Sequence, residues 1–373
     1  EEELYISPIF PPELKYKTYN TGRHLGEGTF GKTYGPFKFG TMQYGIIKTL
    51  KMATTPEDLE QQIKDTINEI DSSLSFVKLA HKKNIDSNIP NICHPNIIMN
   101  IHIIVGMSKL PIFIQPFGGT SLDHELYVEN NQFNGAEKLK LATDLASGLE
   151  YLHGAGTMLE KDCQDPFIHR DLKSPNIMVY NEGGNYTAKI IDFGLSRFQG
   201  FNDSCEETMM TGCGSVLWMA PEILLGELYT KKVDQYSYSM VLVELLTNRL
   251  PWHGTSVASI PRRATRGERP SLRNVRKLGG LTEDEIKDNK LTEALVELCR
   301  SCWHSDPNLR PEFTEIHTRC EYARHNPDNP VNRQGGGGGE LELDPNPEPE
   351  SESNPEPESE SKQKINILDI LNI

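Results

Sequence analysis

No run of about 18 consecutive apolar residues occurs in the chain of 373 residues, which excludes a transmembrane helix over this length. The chain opens on Glu1-Glu2-Glu3 with neither a Met nor a signal peptide, and is therefore read as a fragment with any upstream module out of view. Positive charge is short: 38 Lys and Arg stand against 53 Asp and Glu, a formal charge of −15. That balance argues against nucleic-acid binding by phosphate neutralisation. Cysteine is scattered, seven residues without framework spacing, which excludes a disulfide scaffold and suits a reducing compartment. A cytoplasmic location is expected. Cys299 and Cys302 form a C-x-x-C with no second pair at zinc spacing, and they read as buried helix cysteines beside Trp303.

What is present is length, enough for two lobes, and an uneven distribution of charge. From Gly335 onward there are ten acidic residues and two lysines, net −8, which leaves −7 for the body. The octapeptide Asn-Pro-Glu-Pro-Glu-Ser-Glu-Ser occurs twice in tandem, at 346–353 and 354–361. Such a segment buries too little apolar surface to offset its ordering entropy. The expected organisation at this end is a Gly-rich linker over 326–339, a disordered acidic repeat over 340–364 and a short apolar segment over 365–373. The acidic repeat is a candidate for recruiting a basic partner.

The body runs from strand-like to helix-like patterning. After an extension over 1–20 with Pro8, Pro11 and Pro12, β-type segments fall at His24-Leu25, Thr33-Tyr34 and Tyr44 to Leu50. Thr55-Pro56-Glu57-Asp58 supplies an N-cap, a first-turn proline and acidic residues for a helix whose apolar face is Ile63, Ile67, Ile70, Leu74 and Val77. Further strands are predicted over Ile97 to Val105 and Ile112 to Gln115, and helices over Ala136 to His153 and Val233 to Leu246. Strands followed by helices imply two lobes with a cleft between them.

Leu25-Gly26-Glu27-Gly28-Thr29-Phe30-Gly31 places glycines where backbone amides can approach a phosphate, between strand-forming residues. Lys48 ends an apolar run, Gly45-Ile46-Ile47, twenty residues after Gly28. Further on come His169-Arg170-Asp171-Leu172-Lys173-Ser174-Pro175-Asn176, Asp192-Phe193-Gly194 and Ala220-Pro221-Glu222. With these motifs in this order, the sequence resembles the protein-kinase family, and by the wording HRDLKSPN and Trp218-Met219-Ala220-Pro221-Glu222 its tyrosine-kinase-like serine/threonine group.

The resemblance covers about residues 20 to 325 and implies an α+β, bilobal kinase fold. A small, mostly antiparallel N-lobe with one long helix (21–117) would precede a larger, mostly helical C-lobe (118–325). It implies transfer of the γ-phosphate of ATP, with Mg²⁺, to serine or threonine of protein substrates. By the family pattern Asp171 accepts the hydroxyl proton, Lys173 steadies the phosphate, and Asn176 and Asp192 are the metal ligands. Lys48 reaches the α and β phosphates and is fixed by Glu69, with Asp71 as a shorter substitute. The nucleotide would be bound by Leu25, Gly26, Gly28, Gly31, Thr33, Ile46, Lys48, Gln115, Phe117, Met178 and Asp192, with Gln115 to Phe117 as the hinge. His169 implies a packing residue beneath Phe193, Glu222 and Arg310 a buried ion pair, and Ser215 a hydroxyl that seats the acceptor. Ser204, Thr208 and Thr211 are candidate phosphorylation sites that would pair with Arg170.

Departures from the family pattern include Ile46 where a small residue is usual and Thr33 for valine, both in the roof of the nucleotide pocket, and Ser73 for an apolar residue after Glu69; Ile46, Ser73 and the loop between Gly154 and Pro166 keep a rival to the enzyme open, and the acceptor type is open as well. One alternative is a pseudokinase that holds nucleotide as a scaffold; the other is a dual-specificity or tyrosine kinase.

Overall fold

The computed structural model describes residues 4–6, 24–27, 31–39, 43–50, 55, 94–98, 102–106, 109–116, 118–154, 166–193, 195–198, 215–272 and 283–330. The predicted helix after Thr55, with Glu69, Asp71 and Ser73, lies outside the described residues, as does the segment carrying Ser204, Thr208 and Thr211. So do Gly28, Phe117 and everything from 331 onward.

The first half of the chain forms one antiparallel sheet: β1 (Leu4–Ile6), β2 (His24–Glu27), β3 (Gly31–Phe39), β4 (Gln43–Leu50), β5 (His102–Gly106) and β6 (Lys109–Pro116), in the order β1-β5-β6-β4-β3-β2. β3 is longer than the predicted Thr33-Tyr34 and carries Pro36, which lacks the amide a central strand needs. A register shift between Tyr34 and Phe37 accommodates it. Gly35, at that shift, has φ of 151°, a conformation glycine reaches without a Cβ clash.

The strand predicted over Ile97 to Val105 is corrected. β5 is His102–Gly106, and Asn96 to Ile98 dock elsewhere. The Ile98 N–H donates to the Ile190 carbonyl at 2.8 Å and the Ile190 N–H to the Asn96 carbonyl at 2.9 Å, while Asn96 Nδ2 donates to the Ala188 carbonyl at 2.9 Å. Ile97 and Ile98 are buried. Their apolar character therefore serves the helical half of the molecule, so β-propensity alone misassigned them.

From Gly118 onward helices dominate. β7 (Thr120–Ser121) leads into α1 (Leu122–Tyr127), and α2 (Gly135–His153) follows. A full capping box starts α2: Asn134 accepts the Glu137 N–H, and the Glu137 carboxylate accepts the Asn134 N–H. β8 (Phe167–Ile168) pairs with β11 (Arg197–Phe198). β9 (Ile177–Glu182) and β10 (Asn185–Ile190) form a hairpin through Gly183-Gly184, whose φ of 63° and 91° supply the left-handed turn a two-residue connection requires.

Then come α3 (Pro221–Leu224), α4 (Lys232–Thr247), α5 (Ile260–Thr265), α6 (Glu283–Cys302) and α7 (Phe313–His325). α4 is buried from Val233 to Leu246 without a solvent face, so it forms the axis of this half rather than an amphipathic surface helix. Cys299 and Cys302 are buried on α6 as free thiols. Burial raises both, Cys302 beyond the ordinary thiol range, as expected of inert core cysteines. Glu222 and Arg310 meet in a buried bidentate pair, Nη1 to Oε1 at 2.6 Å and Nη2 to Oε2 at 2.9 Å. No helix among the described residues is long and apolar enough to cross a membrane.

A small antiparallel sheet followed by a mostly helical body is the bilobal architecture implied by the sequence.

Candidate active site

The loop between β8 and β9 carries His169, Arg170, Asp171, Lys173 and Asn176, and its course is set from below by α4. Asp234, fully buried near the start of that helix, accepts the backbone N–H of His169 at 2.8 Å and of Arg170 at 2.9 Å, and its Oδ2 bonds His153 Nε2 at 2.8 Å. Arg170 is thereby held at φ of 70°, where a residue with a Cβ is strained by about 1–3 kcal/mol. Burial pushes the Asp234 carboxyl up, but the His153 hydrogen bond and the facing histidines and amides outweigh it and hold the group below the ordinary aspartate value. His169 packs edge-on against Phe193 with ring centroids 5.2 Å apart, which is the packing role the resemblance implies.

Asp171 emerges from this platform nearly buried, at 8 % exposure. Its Oδ2 accepts Asn176 Nδ2 at 2.9 Å and lies 3.0 Å from Lys173 Nζ, while Oδ1 accepts the Ser215 hydroxyl at 3.0 Å. Lys173 Nζ also donates to Ser215 Oγ at 2.9 Å. One carboxylate, one ammonium, one amide and one hydroxyl thus converge from two segments 44 residues apart. Asp171, Lys173, Asn176 and Ser215 were all legible as candidates, and the fold brings them within hydrogen-bond distance of one another.

Asn176 ends a single 3-10 turn, Ser174–Asn176, and donates its amide hydrogens to the Asp171 carbonyl at 2.8 Å and carboxylate at 2.9 Å. Neither of these bonds uses its Oδ1. The Ile191 N–H donates to the Asn176 carbonyl at 3.0 Å, and Asp192, the next residue, has φ of 64°. Among the described residues no three His, Cys, Asp or Glu side chains form a metal cluster. The carboxylate of Asp192 and the amide oxygen of Asn176 are nevertheless hard oxygen donors of the kind Mg²⁺ takes when nucleotide phosphates complete its shell.

The nucleotide candidates of the first half are brought onto neighbouring strands. Thr33 pairs with Lys48, Ile46 with Gln115, and Gly26 with Thr33. Leu25 and Gly31 stand on β2 and β3. Met178, on β9, pairs with Ser121 of β7, directly after the connection from the first sheet. Gly28, Glu69 and Phe117 lie outside the described residues.

Two polar residues of α4 escaped the sequence reading, Asp234 and Glu244. Both interrupt an apolar helical run, and that interruption is the signal that identifies them, since a buried charge needs partners.

Comparison with known proteins gives the family. The family model described as protein kinase domain matches residues 19–320. A probable serine/threonine-protein kinase of Dictyostelium discoideum is 31% identical over 317 residues, covering 85% of this chain and 29% of that protein. The probable serine/threonine-protein kinase SIS8 of Arabidopsis thaliana is 29% identical over 304 residues, covering 82% of this chain and 25% of its own length. The serine/threonine-protein kinase VIK of the same plant is 28% identical over 314 residues, covering 84% and 61%. The chain thus spans between a quarter and three-fifths of the length of these relatives. With its fold in agreement with the match over 19–320, the chain belongs to the protein kinase domain family.

Proposed function

We propose that this protein transfers the γ-phosphate of ATP to serine and threonine hydroxyls of protein substrates. The observation that carries the reading is the cluster of Asp171, Lys173 and Ser215. A short acceptor hydroxyl placed against Asp171 Oδ1 would exchange for the Ser215 contact, and its proton would pass to the carboxylate as the oxygen bonds to the γ-phosphorus and the bond from that phosphorus to the β–γ bridging oxygen breaks, with ADP leaving. Lys173 Nζ, 3.0 Å from the same carboxylate, is within reach of the phosphoryl group in flight and would offset its charge. Asn176 and Asp192 would hold the divalent ion, which neutralises phosphate charge when bound. Lys48, fixed by Glu69, would grip the α and β phosphates, and the strand positions from Leu25 to Gln115, with Met178, would enclose the adenine. Ser215 and the ammonium two residues after Asp171 support the serine/threonine assignment and the tyrosine-kinase-like group, because a phenol would carry its oxygen beyond this reach. The kinase body is assigned to 21–325 and the acidic tail to a solvated linker that attracts basic partners, in a cytoplasmic setting.

The test is incorporation of labelled phosphate into a serine peptide by purified wild type, followed by phosphoamino-acid analysis of autophosphorylated chain. Phosphoserine and phosphothreonine are expected. A phosphotyrosine product would overturn the acceptor assignment, and binding of nucleotide without turnover would make the chain a pseudokinase.

A further inference from the structure

A cavity of about 770 Å³ lies outside the transfer site, between the start of α2, the turn of the β9–β10 hairpin, α6 and the stretch after α7. None of Asp171, Lys173, Asn176, Asp192 or Ser215 lines it. Its apolar wall is Ala136, Leu139, Tyr186, Leu291 and Pro327. The frame is held by contacts between elements: Asp288 of α6 accepts the Gly135 N–H at the start of α2, and the Tyr186 ring stands edge-on to Phe133 with centroids 5.0 Å apart. Ala136, Gly184, Asn185 and Arg324 are exposed, so the cavity opens to solvent. Its volume falls in the range of about 300–1,000 Å³ in which proteins seat ligands.

The chain brings its own candidate to this wall. Pro327 lines the cavity, Lys290 Nζ of α6 donates to the Asp328 carbonyl at 2.9 Å, and Pro330, the last described residue, is buried. The polypeptide is thus pinned at the cavity's rim where it passes beyond the described residues. From Asp344 to Lys364 it carries no aliphatic or aromatic side chain apart from proline, and then six of the nine residues over 365–373 are Ile or Leu. Asn366, Asp369 and Asn372 recur every third position. Ile367, Leu368, Ile370 and Leu371 would therefore share one face of a helix, the pattern an amphipathic segment lays into an apolar groove.

Reach and charge agree with that occupant. The 34 residues of 331–364 span up to about 110–120 Å when extended, and about 30 Å root-mean-square as a flexible chain. A segment so tethered meets the cavity at an effective concentration on the order of millimolar. The lining charges Glu137, Asp288, Lys140 and Arg324 cancel, so the strongly acidic repeat gains nothing there, while 365–373, whose one charge is Asp369, loses little. A second cavity, beside α3 and α5, has only about 140 Å³ and is lined by Glu222, Glu227 and Arg269.

We propose that the segment 365–373 docks in cis in the cavity beside Pro327, its Ile367, Leu368, Ile370 and Leu371 face covering the wall, and that the acidic repeat is thereby closed into a loop held to the kinase body at both ends. The proposal stands apart from the transfer reading. A partner that presents an apolar helical face of the same kind must first displace the chain's own segment.

The test uses the full chain. A labelled peptide of residues 362–373 is titrated against wild type and against a double variant, Ile367→Asp with Leu371→Asp, which removes the apolar face and leaves the body untouched. The peptide should bind the double variant, and bind wild type about tenfold or more weakly, because a tethered competitor at millimolar effective concentration holds the cavity. Ala136→Glu, added to the double variant, sets a charge into the wall at an exposed first-turn position where a carboxylate suits the helix. It should abolish peptide binding with the melting temperature unchanged. Pro327→Asp repeats the test from the other side of the cavity should Ala136→Glu not fold. Amides over 184–186 should exchange hydrogen faster in the double variant than in wild type, with those over 169–176 unchanged. Equal peptide affinity for wild type and the double variant, binding to neither, or binding that survives the cavity substitutions would overturn the proposal. A wild-type dimer in light scattering that the double variant lacks would seat the segment in a second copy and overturn docking in cis. None of these readouts involves turnover, so failure of the transfer reading leaves them unchanged.

Discussion

Asp234 accepts the backbone N–H of Arg170 at 2.9 Å, and so a helix residue fixes the backbone of a loop residue 64 positions earlier. The arrangement places a fully ionised, buried acceptor beneath a strained φ, and Asp171 is carried on the result. Removing the acceptor strands two backbone N–H groups and the His153 nitrogen. Asp234→Ala is expected to cost about 3 kcal/mol of stability and to abolish transfer, checked by urea unfolding beside a phosphate-incorporation assay. A variant that unfolds like wild type would contradict the anchoring role.

The pH dependence of that anchor has a definite sign. Because the folded state holds the Asp234 carboxyl below its ordinary value of 3.8, its contribution is complete above that value and is lost as pH falls through the lower folded value. Wild type should therefore show one acid-side loss of stability below pH ~4 that Asp234→Asn lacks, read from melting temperature against pH.

Asp171→Asn keeps shape and removes the proton acceptor. Transfer should fall by about 100-fold or more while the melting temperature and nucleotide binding stay near wild type, since the amide can still accept from Ser215. Side-by-side incorporation of labelled phosphate measures it; equal rates would remove Asp171 from the chemistry.

Ser215→Ala deletes the hydroxyl that bridges Lys173 Nζ and Asp171 Oδ1. A hydrogen bond to a charged group contributes about 1.5–3 kcal/mol, so a loss of about tenfold to hundredfold in kcat/KM is expected, with stability little changed because the site is part-exposed. Steady-state kinetics with a serine peptide would show it, and an unchanged kcat/KM would reduce Ser215 to a loop residue.

Arg310→Met should cost about 3–5 kcal/mol, because Glu222 would be left charged inside the core. Glu222→Met combined with Arg310→Met should recover part of the loss in urea unfolding, although Arg310 also bonds the carbonyls of His304 and Lys232.

Much of this protein is legible in one dimension. The motif His169 to Asn176 is short and contiguous, and within its eight residues a carboxylate, an ammonium and an amide come to about 3 Å of one another. Asp171, Lys173, Asn176, Asp192, Ser215 and the Glu222 to Arg310 pair could be named through the resemblance of these motifs to the protein-kinase family. The capping box at Asn134 and the Gly183-Gly184 hairpin are equally local, since their geometry is satisfied within three or four residues.

Tertiary structure decided what depends on who stands behind the loop. Ile97 and Ile98 look like the start of a strand, yet the core that claims them is built by β10 and α2, far along the chain. Asp234 and Glu244 look like polar intrusions in an apolar helix, and their meaning exists only once His169, Arg170, Ser174 and Trp218 have been folded onto them. Sequence determined the chemistry because reacting groups are held by short-range spacing. Burial alone determined which charges the fold would keep, because the cost of a desolvated carboxylate is set by partners that no local pattern can name.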